Sequence, residues 1–272
     1  MPAKRIIINL DDVGMLDCIN AAAVNLLRKT PISSVSVMTP GPWAAGFVRA
    51  VRSLGRPVDI GVHLCLTSEW PSVRMRPVLG NSVPSLLDRD GYLELEPKGR
   101  CAEWDLGEVG REFRAQIGLI EKWGIEPTHL DAHMIFYYWR PELLNVLVDV
   151  AKERNLPLLI HLPDFIEKCI RLGGVCPRFG YLSNYLFLPG NREESYRDFL
   201  KHFPEDCISA MALHVSMNHP ELSAAMGEEG TRRVEEYDLF MKPGIFERLG
   251  IEVSRPGELL GHESGMKESV RG

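Results

Sequence analysis

The chain contains no apolar run long enough to matter to a membrane. Its start, Met1-Pro2-Ala3-Lys4-Arg5, leads only into Ile6-Ile7-Ile8-Asn9-Leu10, far short of the ~20 residues of a membrane helix or the ~7–15 of a signal-peptide core. A soluble, cytoplasmic protein is therefore expected. Clusters of Lys and Arg are also missing, and 37 acidic side chains against 31 basic ones give a formal charge of −6. Nucleic acid and anionic membrane surfaces are thus poor partners, whereas a neutral or cationic small molecule suits the balance. The six cysteines, Cys18, Cys65, Cys101, Cys169, Cys176 and Cys207, form no C-x-x-C pair. That excludes a zinc ribbon or a disulfide framework and leaves reduced, mostly buried thiols. No Pro-rich or Ser-rich linker and no internal repeat divides the chain. One domain over 1–256 is expected, followed by a flexible Gly-, Glu- and Ser-rich tail at 257–272.

What is present is an alternation. The 272 residues, 45% hydrophobic, are enough for one α/β core. Strand-like runs fall at 5–10, 33–38, 58–66, 128–133, 156–162, 208–215 and 251–254, separated by helical periodicity at 19–29, 43–54, 106–123, 141–154, 193–203 and 231–249. Such alternation predicts βαβ units and a mainly parallel sheet, and about seven strands suit a TIM-like (β/α) barrel better than the alternative, a doubly wound open sheet. The long segments 68–100 and 163–191 both follow strands, so they are expected to rise as loops over the C-terminal face, where a barrel carries its chemistry.

The residues that carry chemistry sit at strand ends. Asp11 and Asp12 close the first run; regular strand geometry would point them oppositely, so both serve one site only if the strand is ending, as Gly14 permits. His63 lies in Gly61-Val62-His63-Leu64-Cys65. In His129-Leu130-Asp131-Ala132-His133 the three polar residues share a strand face that cannot be plain core. An Asp, His, His set suits Mg²⁺, Mn²⁺ or Zn²⁺ with positions left for water and substrate. His214, after Met211-Ala212-Leu213, is expected at the same face, able to act as a general acid or simply to face solvent. His129 and Asp131 are open between packing and orienting their neighbours. Phe136-Tyr137-Tyr138-Trp139 reads as core more readily than as a sugar-stacking platform, Arg74, Arg76 and Arg233 as salt-bridging or solvated surface arginines more readily than as substrate contacts, and Cys65 as a packed thiol.

These motifs resemble the YdjC-like (ChbG-like) carbohydrate deacetylases. Ile8-Asn9-Leu10-Asp11-Asp12-Val13-Gly14 is similar to that family's N-A-D-D-F-G, residues 61–67 to G-x-H-x-x-L-T, and residues 127–133 to P-T-H-L-D-S-H; the segment 83–91 also resembles it. The resemblance implies a distorted (β/α) barrel that removes acetyl from an N-acetylated sugar such as diacetylchitobiose. It places Asp12, His63 and His133 as metal ligands, Mg²⁺ before Zn²⁺, and Asp11 as general base. The chain departs from the pattern after His133, where Met134-Ile135-Phe136 stands for further histidines, at Ile160-His161-Leu162, where the family often has Arg, and at Leu213-His214-Val215-Ser216 against H-P-G. Two other readings stand beside it: a metal-dependent hydrolase of another amide or ester, and a non-catalytic sugar-binding protein, although no ligand or base is lost. A homodimer is open.

Overall fold

Why the chain folds into a curled sheet is visible in its first strand. In the computed structural model, which describes residues 4–95, 99–159, 192–201, 203 and 209–256, Ile6, Ile7, Ile8 and Leu10 are all fully buried. Ile6, Ile8 and Leu10 join the large core under the helices. Ile7, on the opposite pleat, meets Leu159, Ala210 and Ala212 in a small cluster on the inner face. A strand buried on both faces is what a parallel sheet covered by helices requires.

The strands are β1 (Lys4–Val13), β2 (Ser34–Val37), β3 (Asp59–Leu64), β4 (Leu130–Ala132), β5 (Ser209–Leu213) and β6 (Ile251–Ser254). All pair in parallel. The order β4-β3-β2-β1-β5, with β6 also on β1, advances one strand at a time and brings the late strand β5 back beside β1. In an open doubly wound sheet the two ends would lie apart; here Leu159, beyond β4, packs with Ile7 of β1 and with Ala210 and Ala212 of β5, so the sheet curls on itself as in a TIM-like barrel. Leu158 adds a parallel bridge to Leu130 beyond β4, where the fifth run was expected to begin. Its remainder at 160–162, the segment 163–191 and the tail 257–272 lie outside the described residues.

Between the strands run α1 (Asp17–Lys29), α2 (Ala44–Val51), α3 (Leu106–Lys122), α4 (Glu142–Arg154), α5 (Arg192–Leu200), α6 (Pro220–Met226), α7 (Glu228–Phe240) and α8 (Ile245–Leu249). The single helix expected over 231–249 is not formed. Pro243 cannot donate to a helix and Gly244 takes φ 69°, so the chain breaks into α7 and α8. The loop after β3 rises from the C-terminal end of the sheet and is tied to α3. Buried Glu112 accepts the backbone N–H groups of Val78 and Leu79 at 2.8 and 3.0 Å, while Gln116 exchanges hydrogen bonds with the Cys65 backbone. No helix among the described residues is long and apolar enough to cross a membrane.

Candidate metal centre

The site begins with an irregularity. Pairing of β1 with β2 slips between Leu10 and Val13, Asp12 adopts φ 59° and Gly14 φ 103°. The slip defeats strand alternation, so Asp11 and Asp12 are both buried beside the same imidazoles. Gly14 has no room for a side chain: a Cβ there would lie 3.0 Å from Ala44 and from the Met38 carbonyl. His63 is the penultimate residue of β3, and His133 is the first residue beyond β4. Of the five non-glycine residues with positive φ among the described residues, four (Asp12, Glu69, Met134 and Ile135) belong to or adjoin this cluster. Residues held at such φ values cluster at active sites, ligand clamps and switch regions.

Asp12 Oδ1 lies 3.3 Å from His63 Nε2 and 3.1 Å from His133 Nδ1, and one atom from each of the three side chains fits within 4.8 Å. Each far nitrogen has a carboxylate: His63 Nδ1 is 2.8 Å from Asp131 Oδ1, and His133 Nε2 is 3.3 Å from Glu69 Oε2. Asp12 Oδ2 pairs with the Arg233 guanidinium at 2.8 Å. Asp12 Oδ1 is nevertheless buried with no hydrogen-bond partner of acceptable geometry. Buried polar atoms are seldom left so. An unpartnered carboxylate oxygen facing two imidazole nitrogens, each imidazole backed by a carboxylate, is a donor set that fits a divalent metal.

The electrostatics agree. Burial works against the charge of Asp12, but Arg233, His133 and His63 hold its carboxyl well below the usual range. Burial also opposes a charged His63, yet Asp131, Asp11 and Asp12 raise it well above the ordinary histidine value. His133 follows the same logic through Asp12 and Glu69 and reaches about 9. Without a metal, protons are the positive charges these carboxylates attract, and a bound cation would displace them. His214, just beyond β5, has Nε2 4.0 Å from Asp11 Oδ2 and from Asp12 Oδ2. Burial pushes its ring down to about 4, so a standing imidazolium is not what the surroundings favour.

Below the cluster lies a polar layer on the inner face. Asn9 Nδ2 reaches Asp11 Oδ1 at 2.7 Å, Ser36 Oγ at 2.8 Å and Asp131 Oδ2 at 3.2 Å, and Ser34 donates to Asn9 Oδ1 at 2.6 Å. His129 joins it through Ser36 and Asn9, and burial lowers its pKa. His129 therefore packs the layer, whereas Asp131 orients His63.

Several readings of single residues resolve here. Phe136 and Tyr137 are core, with Phe136 stacked on Phe113 at 5.4 Å, while Tyr138 is exposed. Arg74 pairs with Asp88 and, like Arg76, lies over the Tyr92 ring. Cys65 is buried, its thiol donates to the Thr67 carbonyl, and burial raises its pKa. Arg233 is a correction: it is not on the surface but 1% exposed, against Asp12. The signal was available, since Glu229, Arg233 and Glu236 recur at helical spacing and so share one face of α7. Glu69, alone in a loop, offered no pattern.

A model of the YdjC-like protein family matches residues 5–250. A carbohydrate deacetylase of Thermus thermophilus is 34% identical over 248 residues, covering 87% of this chain and 86% of that protein. A chitooligosaccharide deacetylase of Yersinia pestis (strain Pestoides F) is 25% identical over 221 residues, covering 80% and 81%. Among solved structures, an Enterococcus faecalis protein named for cellobiose-phosphate cleavage superposes with a TM-score of 0.83 over 94% of this chain and 99% of that one, at 22% identity.

Proposed function

The chain belongs to the YdjC-like protein family, and from that premise we propose that it is a metal-dependent deacetylase of N-acetylated sugars of the chitooligosaccharide type, with residues 1–256 as the unit that carries the activity. The observation that carries the reading is the convergence of Asp12, His63 and His133 on one point, with Asp11 and His214 beside it. The relatives named as carbohydrate and chitooligosaccharide deacetylases support the substrate class.

Asp12, His63 and His133 would hold the metal. Two imidazoles and one carboxylate suit a borderline cation such as Zn²⁺ better than Mg²⁺, reversing the preference drawn from the sequence. When bound, such an ion supplies Lewis-acid charge to an amide carbonyl and lowers the pKa of the attacking water. Asp11, held through Asn9, takes a proton from that water. The resulting hydroxide adds to the amide carbon, and the C–N bond of the tetrahedral adduct then breaks. His214 delivers a proton to the departing nitrogen, so acetate and a free amino sugar leave. Because the His214 surroundings favour a neutral ring, that proton is gained during turnover, and Asp11, 4.0 Å away and carrying the proton taken from water, is its source. The large apolar side chains exposed among the described residues, Trp43, Met134, Tyr138 and Met217, all follow strand ends at this face, where they suit the C–H faces of sugar rings.

The test is acetate release from N,N′-diacetylchitobiose by purified protein, after chelation and after restoring Zn²⁺ or Mg²⁺, alongside simple acyl amides and acetate esters. Metal-restored acetate from the sugar is expected. Turnover of amides or esters alone would transfer the reading to another hydrolase, and sugar binding without acetate in metal-loaded protein would make it a binding protein.

A further inference from the structure

Arg233 comes from α7, more than two hundred residues after Asp12, and is one of the largest fully buried side chains. Burying a guanidinium is costly unless its partners compensate, and here they lie on both sides: Asp12 Oδ2 at 2.8 Å and Glu229, one turn earlier on the same helix, at 3.1 Å. One turn later, Glu236 accepts the His214 backbone N–H at 2.7 Å and the Tyr196 hydroxyl. The buried face of α7 thus grips two strand ends, β1 at Asp12 and β5 at His214.

The consequence lies in how Asp12 is shared. Its Oδ2 is ion-paired with Arg233 Nη1 at 2.8 Å, a contact that lacks hydrogen-bond geometry, whereas Oδ1 faces His63 Nε2 and His133 Nδ1 and has no hydrogen-bond partner. A free carboxylate can chelate a cation through both oxygens, and each extra protein oxygen removes a position that water or substrate needs. We infer that Arg233 is a positioning residue that restricts Asp12 to one metal-facing oxygen, keeping the centre open while restraining its affinity for the ion. This rests on the metal-centre reading of Asp12, His63 and His133. It assigns to a helix outside the sequence motifs the task of setting how many sites remain for chemistry.

The test uses the full chain, stripped of metal and titrated with Co²⁺, whose visible absorption reports coordination. The wild type, Arg233→Met and Arg233→Lys are compared by Co²⁺ affinity, spectrum, thermal unfolding, and kcat and KM for diacetylchitobiose after reloading. Arg233→Met is expected to bind Co²⁺ at least as tightly as wild type, because a competing cation is gone and Oδ2 is released. Its spectrum should change and kcat should fall at least tenfold with KM little altered. Arg233→Lys, which keeps the charge with a single donor, should lie between the two, and it carries the test if the Met variant does not fold. An unchanged spectrum, or weaker Co²⁺ binding together with a lower melting temperature, would make Arg233 a packing residue and overturn the inference. Wild type that binds no Co²⁺ would instead sink the metal-centre reading on which it depends.

Discussion

At Asp12 the backbone sits at φ 59°, a conformation that costs a non-glycine residue on the order of 1–3 kcal/mol. The return is geometric, since that residue and Asp11 then reach the same cluster from adjacent positions. The two carboxylates nonetheless differ in surroundings: Asp12 is drawn to two imidazoles and Arg233, Asp11 to Asn9 and His214. Replacing Asp11 by Asn should therefore leave metal binding intact while lowering kcat by roughly 10²–10⁴-fold, the usual contribution of a general base. Near-wild-type turnover would remove Asp11 from that role. Asp131 acts one step back, through His63 Nδ1. Asp131→Asn keeps the shape but not the charge, and metal affinity measured by calorimetry should weaken about 10–100-fold; an unchanged affinity would show that the second carboxylate does not tune the ligand.

Among the elements, β3 and β4 show how little tolerance the inner face allows. A Cβ on Gly61 would come within 2.3 Å of His129 Nε2, so the glycine is there to admit the imidazole of the neighbouring strand. Gly61→Ala should cost about 1–3 kcal/mol by overpacking and lower the melting temperature by several degrees; a melting temperature within a degree of wild type would mean that His129 can move aside freely. Helix α7 carries a different liability. Glu236, buried between Tyr196 and the His214 backbone, has its pKa pushed up by burial from 4.5 to about 7. The folded chain then holds a proton that the unfolded chain releases, so this group makes stability fall as pH rises from about 4.5 to about 7. Glu236→Gln should flatten that part of the stability profile measured by urea unfolding, and an unaltered slope would assign the dependence elsewhere. The elements also show what could be read beforehand. The β and α alternation was legible because burial on both strand faces and on one helix face leaves a periodic trace, and His63 and His133 were legible because they stand at strand ends. The slip in β1 was only hinted at by Gly14. The break between α7 and α8 was hidden by apolar spacing that continues across Pro243-Gly244. Arg233 was misread because its partner lies on a strand far away in sequence.

For the molecule as a whole, the inner face is layered: an apolar floor of Ile7, Leu159, Ala210 and Ala212, a polar layer around Asn9 and His129, and the Asp and His cluster at the C-terminal end. Each layer rises two residues along β1, from Ile7 to Asn9 to Asp11, so a single strand's alternation sets the depth of the site. Parallel strands deliver their ends to one face, which is where the motif residues lie, while the polar face of α7 showed in its spacing but its partner Asp12 only once the fold had brought the two together. One metal held at this face between Asp12, His63 and His133 is the proposal on which the rest of the chemistry depends. Its most direct test is the anomalous difference map of crystals grown with Zn²⁺. One strong peak is expected about 2.0–2.2 Å from Asp12 Oδ1, His63 Nε2 and His133 Nδ1; no peak there, or a peak held by other residues, would overturn the assignment.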